Sequence, residues 1–235
     1  MVTFPKPERL KGAICFSSVK SVGRRIIVRK TLSVGLLCVA SLVGFAQTDI
    51  PKPAYDFSLP REARIKLAES AAPPEVSEEA TVYLLEPKGY VKVRDGSNGF
   101  SCFVDRQTPW NSEPTCFDAV GSATTLPTRL LVEEERGKGK SEDEIQAEVS
   151  AGYQSGKFKA PSKPGIVYMM SDSVFLLIGG KIVHAPPHLM FYAPYATEKD
   201  LGSPPPGLNM PHLIRSGQPD AYFIVIPARV EHTGH

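Results

Sequence analysis

The 235-residue sequence has four cysteines, a single tryptophan and one long apolar run. These low counts limit the classes of protein to which the chain can belong. The apolar run covers 32–45. The rest of the chain therefore lacks the stretch of about 20 apolar residues that a membrane-spanning helix needs. The Gly-x-Ser-x-Gly motif of hydrolases, the HExxH zinc motif and the glycine pattern of dinucleotide-binding domains do not occur. No familiar catalytic class is indicated.

The chain also lacks a surplus of basic residues beyond position 46. Eight of its 27 basic and one of its 25 acidic residues precede Gln47, which leaves 19 basic against 24 acidic residues and a net charge of −5 for 47–235. Nucleic-acid binding needs a concentrated surface of lysine and arginine to neutralise phosphates. We therefore expect no nucleic-acid partner.

Residues 1–46 have the pattern of a secretory signal peptide with a long charged amino-terminal region. Basic residues precede the uncharged run at 32–45, and Gly44 and Ala46 supply the small residues of a cleavage site. We predict export to the periplasm or the extracellular space, cleavage near Ala46, and no membrane span afterwards. An uncleaved membrane anchor is the alternative interpretation.

Two of the four cysteines, Cys102 and Cys116, lie beyond the predicted signal peptide. An even pair in an oxidising compartment forms a disulfide by default. Their spacing matches no common zinc pattern. We therefore predict a Cys102–Cys116 bond.

Runs of β-branched and aromatic residues, separated by turn residues, predict a single α+β domain with an antiparallel sheet, two or three helices and long proline-rich ordered loops. The first three strand-like runs, at 81–85, 90–94 and 100–104, predict a meander. Helices are predicted at 60–72, at 127–136 and after Ser141, whose Ser-Glu-Asp-Glu sequence is a capping box. We divide the chain into a signal peptide at 1–46, an extended segment with a short helix at 47–79, the globular domain at 80–230 and a frayed tail at 231–235.

Residues 106–123 are expected to form a long loop that contains Trp110 and is tied down by Cys116. A second aromatic concentration at 189–195 includes Tyr192 and Tyr195. One hypothesis makes Trp110, Tyr192 and Tyr195 a wall for a small ligand or peptide. The alternative is that 189–192 is a buried strand and that Trp110 caps a core.

All five histidines lie in the last quarter of the sequence. His184 and His188 flank a stiff Ala-Pro-Pro segment, and with His212 they supply three nitrogen ligands and leave a position open, as a catalytic zinc site requires. The alternative is that these side chains only hydrogen-bond the backbone. We predict no cofactor; a transition metal such as zinc is the alternative.

The stretches Gly99-Phe100-Ser101-Cys102-Phe103-Val104-Asp105-Arg106 and 184–195 are similar to uncharacterised secreted proteins of environmental bacteria. The resemblance covers most of the chain after the leader and implies export and a shared domain, but no functional residue. We expect an exported, non-catalytic domain that binds a small molecule or peptide, or associates with an envelope component. A metal-dependent hydrolase or oxidoreductase that uses the histidine cluster is the alternative.

Overall fold

The computed structural model describes residues 54–202 and 211–226. Within them it confirms an α+β fold in a single domain, with five α-helices, a mostly antiparallel eight-stranded sheet and a separate two-stranded hairpin. The predicted signal peptide at 1–46 and the tail at 231–235 lie outside the described residues. No helix in the described part is long and apolar enough to cross a membrane.

The strands and helices alternate in groups along the chain. The strands are β1 Thr81–Glu86, β2 Gly89–Arg94, β3 Ser101–Asp105, β4 Glu113–Phe117, β5 Ile166–Met169, β6 Phe175–Ile178, β7 Lys181–His184, β8 His188–Tyr192, β9 His212–Ile214 and β10 Tyr222–Val225. The helices are α1 Arg61–Glu69, α2 Pro74–Ser77, α3 Ala119–Thr124, α4 Leu126–Gly137 and α5 Glu142–Gln154. The short helices α2 and α3 explain why the count exceeds the predicted two or three.

The large sheet has the strand order β2-β1-β3-β4-β5-β8-β10-β9. The predicted meander over 81–104 is wrong, because β3 pairs with β1, in parallel, rather than with β2. The connection after β2 crosses back over the start of β1, where the Gly96 amide donates to Thr81 Oγ1 at 3.0 Å. A β-carbon on Gly96 would lie 2.2 Å from the Thr81 nitrogen, so this close crossing depends on glycine.

The expected loop over 106–123 is also wrong, because 113–117 forms a central strand. The sequence did not predict this strand because it contains Pro114, and proline cannot donate a hydrogen bond to a sheet ladder. The Cα atoms of Cys102 and Cys116 are 4.1 Å apart, which marks a pair without backbone hydrogen bonds between the strands. Pro114 is paired with Val104, two residues along the ladder from the cysteine pair, so this pair also lacks backbone hydrogen bonds between β3 and β4. The missing N–H of Pro114 therefore leaves no carbonyl group of β3 without its donor.

One face of the sheet, here called the disulfide face, is packed against α1. The predicted Cys102–Cys116 disulfide is confirmed: it joins directly opposed residues of β3 and β4, and both sulfur-bearing residues are fully buried. Ala68 of α1 lies over it, with its carbonyl oxygen 3.9 Å from Cys116 Sγ. Val82 and Leu84 complete a well-filled core on this side.

The opposite face, here called the cavity face, is covered in two different ways. Helices α3 and α4 cover the half that contains Phe103, Phe117 and Tyr222. Helix α5 packs behind α4 and begins with the predicted capping box, which is confirmed between Ser141 and Glu144. The other half of this face lies beneath the hairpin formed by β6 and β7.

Candidate functional site

The β6–β7 hairpin is attached to the rest of the domain at few points. Gly179 and Gly180 form its turn with positive φ angles of 58° and 77°, as their position between two apolar runs predicts. Ser112 and Phe175 exchange two backbone hydrogen bonds of 2.9 and 2.8 Å, and the Leu177 amide donates to Asn111 Oδ1 at 2.9 Å. The hairpin therefore forms a separate small sheet rather than extending the large one.

A cavity of about 440 Å³ lies between the hairpin and the cavity face. Its volume is within the range of small-molecule sites, and its surface is largely apolar. The main apolar side chains are Met169, Leu176, Leu177, Val183, Met190 and Ile224. The polar lining comes from β4 and the loop before it, which supply Gln107, Thr108, Asn111 and Glu113, and from three histidines.

Glu113 is the most deeply buried polar residue of the lining, with 2% of its surface exposed. Its Oε1 accepts hydrogen bonds from the Gln107 amide at 3.1 Å and Asn111 Nδ2 at 2.7 Å, and its Oε2 accepts one from Gln107 Nε2 at 3.2 Å. All three donors are neutral. Burial and the neighbouring Asp105 carboxylate raise the pKa of Glu113 to about 7, although these hydrogen bonds oppose the shift.

Asp105 faces Glu113 directly across the β3–β4 ladder but has a cation of its own. Arg129 of α4 places its Nε 3.2 Å from Asp105 Oδ2 and its Nη2 3.9 Å from Asp220 Oδ2. Burial disfavours the charged guanidinium, but Asp105, Tyr222 and Asp220 outweigh this effect and raise the pKa of Arg129. The described ion pairs include none with Glu113.

The loop that surrounds the Glu113 carboxylate is held in place by α4. Arg136 donates to the carbonyl oxygens of Arg106 and Gln107, at 2.7 and 3.3 Å. Glu133, which is 3% exposed, binds both Arg106 and Arg136. Because this charged set is largely buried and mutually paired, the backbone that donates to Glu113 has a fixed position.

The orientation of the Asn111 amide follows from its neighbours. Its Oδ1 accepts from Thr108 Oγ1 at 2.7 Å and from the Leu177 amide at 2.9 Å. A backbone amide is only a donor, so the amide oxygen must face Leu177 and the amide nitrogen must face Glu113. Asn111 thus connects the hairpin to the carboxylate.

The three histidines of the predicted metal cluster, His184, His188 and His212, all line this cavity. His188 is buried and donates from Nδ1 to the Pro186 carbonyl oxygen at 2.8 Å, while Nε2 of His184 donates to the Asp172 carbonyl oxygen at 2.7 Å. Burial, with His212 adding to it, lowers the pKa of His188, so this imidazole is neutral at pH 7.

The described residues contain no group of three or more His, Cys, Asp or Glu side chains placed to hold a metal ion. Strand β10 separates β9, which carries His212, from β8, which carries His188. The metal cluster stays a prediction.

The three aromatic residues of the predicted ligand wall occupy different surroundings. Tyr192 is 7% exposed, packs against Tyr222 and donates to Asp118 Oδ1 at 3.1 Å, whereas Tyr195 is 61% exposed and has a φ of 63°. Trp110 is half-buried, and its carbonyl oxygen accepts from the Ala54 amide at 2.9 Å. In the described structure no ring contact joins any two of them, and none of them lines the 440 Å³ cavity.

Reasoning from the sequence missed Glu113, Asn111 and Gln107. Their segment looked like a loop because Pro109 and Pro114 bracket it. The available signal was the alternation Glu-x-Thr-x-Phe at 113–117, which has the period of a strand and places the glutamate on the same face as an aromatic core residue.

Comparison with known proteins assigns neither a family nor a function to the chain. No protein-family model matches the chain, and neither a curated protein nor a solved structure shows detectable similarity to it. The resemblance to secreted bacterial proteins therefore stays a prediction, and the function must be inferred from the geometry of the cavity.

Proposed function

We propose that the protein is an exported binding domain that holds a small, largely apolar molecule beneath the β6–β7 hairpin. The observation that carries the proposal is the cavity of about 440 Å³, which has apolar walls and a few localised polar groups. Burying apolar surface contributes about 25 cal/mol per Å², so such a cavity favours a molecule that fills it. The polar groups would orient that molecule.

The construction of the cavity supports binding rather than a packing defect. Cores are normally filled as densely as organic crystals, so a partly open pocket of this size differs from ordinary core packing. Here the buried charges of α4 hold the loop at 106–112, and Asn111 connects that loop to the hairpin. A cavity whose polar end is positioned by a network of bonds has the organisation of a ligand site.

Export is supported by two independent features. Residues 1–46 carry the pattern of a signal peptide, and the confirmed Cys102–Cys116 disulfide is a bond that forms and persists in oxidising compartments. The proposed location is the periplasm or the extracellular space, where the ligand would be a free small molecule or part of an envelope component.

A neutral fluorescent probe tests the binding proposal. N-Phenyl-1-naphthylamine becomes brighter when it leaves water for an apolar site, and we expect saturable enhancement with the folded protein. The variant Val183→Trp places a bulky side chain in the cavity wall and should weaken probe binding at least about tenfold, because the apolar volume is then occupied.

The matched control is Val91→Trp, the same change on an exposed position of β2. It should bind the probe as the unmodified protein does. Urea unfolding verifies that both variants are folded. Absence of saturable enhancement in the unmodified protein, or equal binding by the two variants, would contradict the proposal.

A further inference from the structure

We infer that the molecule held in the cavity carries a positively charged amine and that Glu113 is its counter-ion. This inference rests on the proposed function and adds the chemical class of the ligand. It depends on three features: the unused hydrogen-bonding capacity of Glu113, the charges that line the cavity, and the engagement of the nearest cation elsewhere.

The Glu113 carboxylate has capacity for one more donor. An ionised carboxylate has about four lone-pair positions, two on each oxygen. In the described structure Oε1 accepts two hydrogen bonds, from the Gln107 amide and from Asn111, and Oε2 accepts one, from Gln107 Nε2. The remaining position is on Oε2, in a side chain that lines the cavity. An alkylammonium group is a compact donor that suits it.

The charges around the cavity favour a cation over an anion. The described lining includes one carboxylate and three histidines, but no lysine or arginine. A carboxylate or phosphate ligand would be repelled by Glu113 and would find no permanent positive charge in the described lining. A neutral apolar ligand would exclude water from Glu113, whose carboxyl would then take up a proton, because an isolated buried charge is costly.

The nearest cation does not neutralise Glu113. Arg129 reaches β3 from α4, but its guanidinium is engaged by Asp105 and Asp220. The charged and titratable groups near Glu113 are therefore Asp105 on β3 and Arg129 on α4, with the lining histidines His184, His188 and His212 on β7, β8 and β9. Asp220 also has a closer cation, since Arg215 Nε lies 2.7 Å from its Oδ1. Arg129 therefore remains the one described cation near Asp105 and Glu113, and a ligand cation would balance the second of these carboxylates.

Binding of an amine through Glu113 should depend on pH in one direction. Alkylammonium groups lose their proton near pH 10.4, so the ligand stays charged at neutral pH. Glu113 has a pKa raised to about 7 by burial and Asp105. Because only the ionised carboxylate pairs with an ammonium group, affinity should rise about tenfold between pH 6 and pH 8.

A pair of matched ligands tests the inference. 4-Phenylbutylamine and 4-phenylbutan-1-ol have the same apolar part and differ in the terminal group. Isothermal titration calorimetry at pH 8 should show at least about tenfold tighter binding of the amine, since a charge-assisted hydrogen bond is stronger than a neutral one. At pH 6 this preference should fall by about tenfold.

The variant Glu113→Gln isolates the carboxylate. It should abolish the preference for the amine and its pH dependence while leaving binding of the alcohol within about threefold, because size and shape are retained. Glu134→Gln removes an exposed carboxylate from α4 and should behave like the unmodified protein. The pH series with Glu113→Gln also distinguishes the titration of Glu113 from that of the three histidines, because any pH dependence that remains in the variant comes from other groups.

Equal binding of the two ligands, or a preference for the amine that persists in Glu113→Gln, would overturn the inference. If neither ligand binds to a protein that does bind N-phenyl-1-naphthylamine, the inference fails and the proposed function stands. If that neutral probe fails as well, both fail.

Discussion

Asp105 and Glu113 are opposed residues on neighbouring strands, both are buried, and their surroundings differ completely. Asp105 belongs to the half of the cavity face that lies under α4, where Arg129 pairs with it and aromatic side chains fill the core. Glu113 belongs to the half beneath the hairpin, where its hydrogen-bond donors are neutral and about 440 Å³ is open.

The difference comes from what covers each half of the sheet. Helix α4 contributes a buried cation together with close packing, so its half is a structural core. The hairpin contributes Leu176, Leu177 and Val183 to the described lining, which does not include its exposed Lys181, so its half keeps an apolar volume beside a carboxylate without a described ion pair. One half of this sheet face is thus a packed core, and the other half holds the cavity of the proposed binding site.

Removing the cation of the packed half should have the largest effect. Arg129→Met leaves the buried Asp105 without its cation and the buried Asp220 with Arg215 alone, and breaking a buried ion pair from one side costs about 3–5 kcal/mol. Urea unfolding at pH 7 measures the loss. Arg61→Met, which removes an exposed cation at the start of α1 whose partner Glu62 is also exposed, should change stability little. A similar result for the two variants would contradict the contrast.

Shortening a leucine in each region compares their packing directly. Leu84→Ala on the filled disulfide face should cost about 3 kcal/mol, because it creates a new void. Leu176→Ala in the hairpin should cost about 1 kcal/mol, because that side chain already borders open space and loses fewer contacts. Equal losses in urea unfolding would mean that the two regions are equally packed.

Removing the charge of the unpaired carboxylate should have an effect of opposite sign, a gain in stability. The folded-state pKa of Glu113, about 7, lies above the value for an unfolded chain. The protonated form is therefore favoured by folding, and its contribution, complete below about pH 4.3, is lost as pH rises through 7. Without ligand, Glu113→Gln should gain about 2 kcal/mol over the unmodified protein between pH 5 and pH 8.

Urea unfolding of the two proteins at both pH values measures this gain. Asp105→Asn is the matched comparison and should destabilise at both values, since it removes the partner of Arg129. A Glu113→Gln variant that is less stable than the unmodified protein at pH 8 would contradict the prediction. It would show that the surroundings of the ionised carboxylate offset the cost of burying its charge.

Local patterns in the sequence predicted much of this fold. Runs of β-branched and aromatic residues identified β1, β2 and β3, the Gly179-Gly180 pair identified the hairpin, and the capping box at Ser141 identified α5. The disulfide followed from an even count of cysteines beyond the leader. Each of these depends on residues close in sequence or on a simple pairing rule.

Features that depend on distant contacts were not predictable in the same way. The pairing of β3 with β1 depends on how 95–100 crosses the sheet, and β4 contains a proline that a central strand tolerates only at certain ladder positions. Strand β9 was missed because its neighbourhood is rich in proline.

The candidate site was predicted only in part, because it also depends on contacts between residues far apart in the sequence. The sequence marked His184, His188 and His212, and the structure brings them to one cavity, while their role as metal ligands stays a prediction. The importance of Glu113 arises from its burial beside Asp105 and from the absence of a described cation partner. Those properties are created by α4 and the hairpin, which no motif around residue 113 reveals.

A crystal structure of the protein with bound 4-phenylbutylamine at pH 8 tests the central claim most directly. We expect the phenyl ring among the apolar side chains between the hairpin and the sheet, and the amine nitrogen about 2.8 Å from Glu113 Oε2. An empty cavity at saturating ligand, or a bound amine whose nitrogen does not contact Glu113, would contradict the account.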